Sequence, residues 1–357
     1  MTAAIHRVRD YSLTGPDTAN AKAIGLANAV WYRTEVPRKV MKDLMQRRDG
    51  PAIRDTLLWF ALLGLSAGGG IAFWGSWFCV PFWVVYGVLY GSACDSRWHE
   101  CGHGTAFRTG WMNDVVYQIA SFMVIRNPVS WRWSHARHHT DTVIVGRDPE
   151  IACMRPPNLF RALVAFVGTL DLLNGIKTLA LNAAGQLSDG EKDYIPETEC
   201  GKAVNAARIH MAVYAAAIVS ATVWQSWIPL MLIGLPRLYG CWHMIMTGLL
   251  QHCGMNENVT DHRLNSRSVL MNSVSRWLYW NMNYHIEHHM FPMVPFHALP
   301  RLHDILKHDL PAPNPSILAA YREAVPAVLR HRHDPEYFIR KPLPPTARPY
   351  QEGVFYG

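Results

Sequence analysis

Charge is sparse in this sequence. Asp, Glu, Lys and Arg make up 17% of its 357 residues, where a soluble domain carries about a quarter. The seven cysteines (Cys79, Cys94, Cys101, Cys153, Cys200, Cys241 and Cys253) are odd in number, scattered, and form no CxxC pair. That excludes a zinc ribbon and gives no sign of a disulfide framework, so a reducing compartment is the default expectation. Cys101 reads as a small packed residue. A net charge of +7 is unaccompanied by any zinc finger, helix-turn-helix or aromatic-basic repeat, so nucleic acid is not an expected partner. The basic stretch 1–56 carries no apolar leader, and no signal peptide is expected.

Long uncharged runs are what the chain does have. Half of its residues are apolar and 14 are Trp. No charged residue occurs from Leu57 to Gly91, more than one span of about 20 residues needs. The run reads as a hairpin of two tilted helices turning near Trp74–Trp77. A second run, Ile209–Pro236, resumes after Arg237 as Leu238–Leu250, and gives a second hairpin turning at Trp224–Pro229. The expected spans are about 57–74, 77–94, 209–226 and 228–250.

Neither turn contains Lys or Arg, whereas the segments between hairpins and both tails do. The positive-inside rule therefore places the tails and connecting segments in the cytoplasm, with the basic clusters beside the apolar runs. Val36–Arg48 suits a surface helix, Val115–Ile125 is too short to span, and Asn158–Ala184 reads as amphipathic. Ser188–Lys202 reads as a loop, Ser316–Arg332 as a helix and Lys341–Pro349 as an extended tail. The expected fold is an all-α integral membrane protein, with four transmembrane helices in two hairpins and a cytoplasmic helical cap. Its parts are a cytoplasmic N-terminal segment (1–56), a membrane domain (57–305) and a cytoplasmic tail (306–357).

Histidine supplies the candidate chemistry. In NMNYHIEHHMFP, His285, His288 and His289 fall at i, i+3, i+4; SHARHHTD repeats the spacing with His135, His138 and His139; and WHECGHG places His99 and His103 at i, i+4. With 18 histidines in the chain, an HxxHH is expected by chance only ~0.05 times, and two are present. On a helix these spacings project side chains to one face, and eight imidazoles are enough for two metal ions. A histidine set without thiolates suits iron, zinc or copper better than calcium or magnesium. His331 and His333 read as solvated. Metal transport is the competing class, but transporters place ionisable ligands within spans, and these boxes lie at or beyond helix ends.

WHECGHGTAF, WSHARHHT and NYHIEHHMFP resemble the three histidine boxes of the membrane fatty acid desaturase and alkane hydroxylase superfamily, and a bacterial desaturase-like hydrocarbon oxygenase group within it. The likeness covers roughly residues 50–305. It implies a non-haem di-iron centre of two Fe ions held by His99, His103, His135, His138, His139, His285, His288 and His289. QHCGMNEN places His252 where the superfamily has a further ligand. The implied reaction consumes O2 and electrons to desaturate or hydroxylate a fatty acyl or other hydrocarbon-like substrate. A small non-lipid compound, as in rhizopine-catabolism oxygenases, is the alternative.

With neither an HPGG signature of a fused cytochrome b5 nor the paired CxxC of a fused rubredoxin, the implied donor is a separate ferredoxin or rubredoxin with its reductase. A basic face would attract such acidic carriers. Membrane lipid is a further partner, and a bacterial inner membrane with the boxes and both termini cytoplasmic is the expected location. Glu100, Asp141, Glu257, Asn283 and Glu287 are the candidates for orienting the imidazoles.

Overall fold

The computed structural model describes residues 9–353. Among them the regular structure is helical, without a strand; two isolated bridges, Ser268 with Tyr284 and Val269 with Asn314, tie irregular segments together.

The first apolar run forms the helix Asp49–Ala72. It begins eight residues before the expected span because Asp49 suits a helix N-terminus and its carboxylate accepts the Thr109 N–H and hydroxyl. Gly75 turns the chain at φ 84°, and Cys79–Gly91 runs back against the first helix. This returning helix stops at Gly91, short of the expected position 94, and Ala93–Gly102 continues as a separate helix carrying the first box. Ser92 sits at the break, donating to the Gly240 carbonyl and accepting the Met244 N–H.

The second hairpin differs more. Its first helix starts at Glu197 and runs to Val223, so the polar stretch before Ile209 joins the apolar run without interruption. The expected fourth span is not one helix: Ile228–Leu232, Pro236–Gly240 and Trp242–Gly248 replace it. Pro229 and Pro236 lack the N–H that a continuous helix needs, and Gly234 takes φ 91°. Arg237, fully buried at this broken segment, pairs with Asp171 at 2.6 Å and donates to the Gly91 carbonyl. Among the described residues, two helices could cross a membrane by length and composition, those ending at Ala72 and Val223, with Leu159–Ala165 and Thr169–Ala183 as a third if that pair, bent by 84°, counts as one. Gly168 makes the bend at φ 64°, and a Cβ there would lie 2.4 Å from the Arg237 carbonyl.

Leu57, Leu65, Trp77, Phe78, Ile209, Val219, Val223 and Trp224 are exposed on the long helices and their turns. Apolar faces this extensive are unusual on a soluble monomer and suit lipid. Three further expectations change. Ser188–Lys202 is not a loop: Ser188 and Glu191 form a reciprocal cap that starts a helix at Asp189, as a serine followed by a glutamate three residues later favours. His331 is buried and bonds the Tyr337 carbonyl through Nε2, while His333 is exposed. Cys153 and Cys253 form a disulfide, with Cα atoms 5.5 Å apart, because folding brings together the loop after the second box and the turn carrying His252.

Candidate metal centre

Each histidine box is placed by a short helix with a local reason to start. Asn127 caps Pro128–Thr140, its side-chain oxygen accepting the Val129 and Ser130 N–H groups, with Pro128 as the first helical residue. Proline is tolerated there because its missing N–H would be unpaired anyway. The third box forms the helix His285–Met290, whose entry is fixed by the Val269 N–H bonded to the Asn283 carbonyl. His252 lies in the turn after Trp242–Gly248.

All nine histidines come together, in two groups whose candidate donor atoms lie within 4.8 Å of one another: His99, His103, His135, His139 and His288 in one; His138, His252, His285 and His289 in the other. The HxxHH motifs do not each serve one group. Box two gives His135 and His139 to the larger group and His138 to the smaller; box three gives His285 and His289 to the smaller and His288 to the larger. At about 100° of rotation per residue, positions i and i+4 differ by only about 40°, whereas i+3 lies on the other side of i. A four-residue fan thus serves two neighbouring centres, and His139 and His289, from different groups, have ring centroids 4.5 Å apart.

The ring protons fix what the groups can hold. His252 Nδ1 donates to the Asn265 carbonyl at 2.8 Å. His138 Nδ1 donates to Asp148 at 2.9 Å and His135 Nδ1 to Glu150 at 3.0 Å. Thr142 Oγ1 gives its proton to the His138 carbonyl and so accepts from His289 Nδ1 at 3.2 Å. With the proton on Nδ1, Nε2 presents a lone pair. Yet the Nε2 atoms crowd together: His99 to His288 at 2.7 Å, His135 to His99 and to His139 at 3.1 Å, and His285 to His252 and to His289 at 3.0 Å. Imidazole nitrogens about 2.1 Å from a metal and at right angles are about 3.0 Å apart, so the spacing fits a cation among the lone pairs.

Burial pushes the His99, His103, His139, His285, His288 and His289 imidazoles well below their ordinary value, and neighbouring rings add to the shift. They stay neutral, the state in which imidazole ligates. His138 differs: burial alone would lower it, but the Asp148 carboxylate carries it up to about 9. Glu150, which burial would raise, is held down at about 2 by His135.

Of the five expected orienting groups, Glu100 alone faces a boxed imidazole, its Oε1 standing 4.0 Å from His288 Nδ1. Burial raises its carboxyl to about 8, against the hydrogen bonds from Thr105 and the Phe296 N–H. Asp141 pairs with Arg147 and Arg137, Glu257 with Arg9 and Arg155, and Asn283 bonds the Val269 carbonyl. Glu287 lies against His303 and Ser268. The partners that touch the boxes, Asp148, Glu150, Thr142 and the Asn265 carbonyl, were missed because nothing in helical periodicity marks them. The only signal was the acidic pair so soon after box two.

A family model described as fatty acid desaturase matches residues 75–320. Among curated proteins, an omega-6 fatty acid desaturase of the endoplasmic reticulum from Glycine max is 35% identical over 74 residues, 20% of this chain and 19% of that one. A bifunctional fatty acid conjugase/Delta(12)-oleate desaturase from Punica granatum is 33% identical over 121 residues, 30% of each chain. An sn-1 acyl-lipid omega-3 desaturase (ferredoxin) from Synechocystis is 31% identical over 102 residues, 28% of each. The alignments therefore span about a fifth to a third of these relatives' lengths. With the family model covering most of the sequence, the chain belongs to the fatty acid desaturase family.

Proposed function

We propose that this chain is a membrane-bound non-haem di-iron oxygenase that desaturates or hydroxylates a fatty acyl or other hydrocarbon-like substrate. The observation that carries this reading is the pair of adjoining histidine groups, with Nε2 lone pairs converging at about 3 Å, in a chain with long lipid-suited helices. His99, His103, His135, His139 and His288 would hold one iron and His138, His252, His285 and His289 the other. When bound, the irons supply the activation of O2 and the attack on an unreactive C–H bond, chemistry that protein side chains lack.

The chain's own residues orient and enclose. Their Nδ1 partners keep the Nε2 atoms of His135, His138, His252 and His289 free of protons, and burial keeps the His99, His103, His139, His285, His288 and His289 rings neutral. The larger group borders a cavity of about 90 Å³ lined by Trp98, Tyr117 and Arg132 as well as by His99, His103 and His135. Trp98, Tyr117 and the imidazoles on its wall suit a hydrocarbon segment. Desaturation takes two hydrogens from the substrate and yields two waters from O2, two electrons and two protons; hydroxylation inserts one oxygen and yields one water.

The proposed arrangement has the cytoplasmic N-terminal segment 1–56, the membrane domain 57–305 and the cytoplasmic tail 306–357. Four crossings form two hairpins, the broken segment Ile228–Gly248 completing the second. The histidine face and both termini lie in the cytoplasm of a bacterial inner membrane, where a ferredoxin or rubredoxin with its reductase delivers electrons.

The test is expression with a ferredoxin and its reductase, followed by mass spectrometry of lipids and small extracts. A product lighter by two hydrogens marks desaturation and one heavier by an oxygen marks hydroxylation. An iron-loaded, reduced protein that takes up no O2 with any acyl substrate rejects the reading.

A further inference from the structure

Asp148 and Glu150 stand two residues apart in the segment Asp148-Pro149-Glu150, after the second histidine helix. Each carboxylate receives the Nδ1 proton of an imidazole from a different group: His138, of the four-histidine group, at 2.9 Å, and His135, of the five-histidine group, at 3.0 Å. We propose that this tripeptide is one positioning clamp for both metal sites, Asp148 setting His138 and Glu150 setting His135. The inference rests on the two-metal reading above.

The segment is built to hold both carboxylates still. Asp148 Oδ2 also accepts the Val143 N–H at 2.7 Å, and Oδ1 accepts the Glu150 N–H at 2.8 Å. Glu150 Oε1 accepts the Ser134 hydroxyl at 2.9 Å, a bond to the same helix as His135. Pro149 fixes its own φ and restricts the residue before it. A carboxylate on the distal nitrogen fixes the ring's tautomer and direction, and losing such a partner weakens metal binding by about 10- to 100-fold.

The two carboxylates differ in what an amide can replace. Glu150→Gln keeps an oxygen for His135 and can donate its amide to the Ser134 hydroxyl. Asp148→Asn keeps an oxygen for His138 and Val143 but sets its NH2 against the Glu150 N–H, donor to donor.

The test is iron per chain, by elemental analysis of purified protein before and after a fixed challenge with an Fe(II) chelator. Wild type is expected to keep two irons, and His285→Ala, which opens the four-histidine group, one. Glu150→Ala should keep one alone and close to none combined with His285→Ala, because the two changes strike different sites. Asp148→Ala should also keep one, and combined with His285→Ala should still keep about one, because both strike the same site. Glu150→Gln should restore the second iron in full, and Asp148→Asn only in part.

If an alanine variant aggregates, Mössbauer spectra of Glu150→Gln are expected to show one of two iron environments altered and the other unchanged. Carboxylate variants that both keep two irons, equal losses in the His285→Ala background, or an unaltered pair of environments overturn the clamp. A wild-type chain that takes up no iron overturns instead the two-metal reading, and the clamp falls with it.

Discussion

An imidazole ligates only through a nitrogen that carries no proton, so the position of one hydrogen on each ring decides what this site can do. His288 has no hydrogen-bond partner on Nδ1, where Glu100 stands 4.0 Å away, while its Nε2 lies 2.7 Å from that of His99 and 3.2 Å from that of His139. His138→Ala and His288→Ala are each expected to abolish turnover and lower bound iron while the protein still inserts, read by product formation and elemental analysis of membrane-extracted protein. Normal turnover by either variant removes that residue from the ligand set. His252→Ala should lose iron only in part, and an unchanged iron-to-protein ratio would make it a structural residue. The same burial predicts an acid-sensitive metal-free form. His252 and His262 are pushed down to about 3 by burial, whereas the unfolded chain takes up these protons near pH 6.5. Below about pH 6.5 the unfolded state therefore binds more protons than the folded one, and stability falls by up to about 1.4 kcal/mol per pH unit for each such group until its folded value is reached. Denaturant midpoints of the metal-free protein should drop progressively from about pH 6.5 toward pH 4, and fall separately on the alkaline side between about pH 7 and 9, where His138 gives up the proton that Asp148 stabilises; a flat acid limb would refute the assignment.

Between elements, the tightest junction is where Cys79–Gly91 crosses Pro236–Gly240. A Cβ on Gly240 would fall 1.8 Å from the Gly87 carbonyl oxygen, and one on Gly91 2.7 Å from the Pro236 carbonyl. Backbone cannot retreat as a side-chain tip can, so Gly240→Ala is expected to destabilise by at least about 1–3 kcal/mol. Gly64, on the first long helix, has nothing within 4 Å of a built Cβ, and Gly64→Ala should be neutral or slightly stabilising. Thermal midpoints in detergent compare them, and equal melting by both variants would show that the junction is loose. The Cys153–Cys253 bond closes a separation of 100 residues, and its loss by double Ser substitution should cost about 2–4 kcal/mol in the oxidised protein. That difference should vanish when the wild type is treated with dithiothreitol. On a cytosolic face the reducing pool keeps thiols open, so alkylation before lysis is expected to trap both as free thiols.

For the whole molecule, the proposed arrangement requires both hairpin turns on the far side of the membrane from the histidines. Trp77, 90% exposed in the first turn, is expected to react as Trp77→Cys with a membrane-impermeant maleimide from the periplasmic side only. A green fluorescent protein fused to the C-terminus should fluoresce, and an alkaline phosphatase in its place should stay inactive. Labelling of Trp77→Cys from the cytoplasm would overturn the two-hairpin arrangement.

The sequence by itself determined the helical class, the lipid-suited runs and the identity of the clustered histidines, because hydropathy and residue spacing are local properties carried by consecutive residues. The start at Glu197 and the breaks at Pro229 and Pro236 were harder to read, since a window of hydropathy does not register a missing N–H or a neighbour such as Asp171 on Arg237. Tertiary structure alone decided how the boxes divide. Helical rotation fans an HxxHH motif across two centres, and only the packing of Pro128–Thr140 beside His285–Met290 settles which ring joins which. It also chose Asp148 and Glu150 over the nearer-looking Asp141 and Glu287, because a hydrogen bond is set by distance in space and the loop between them folds back on the helix it leaves.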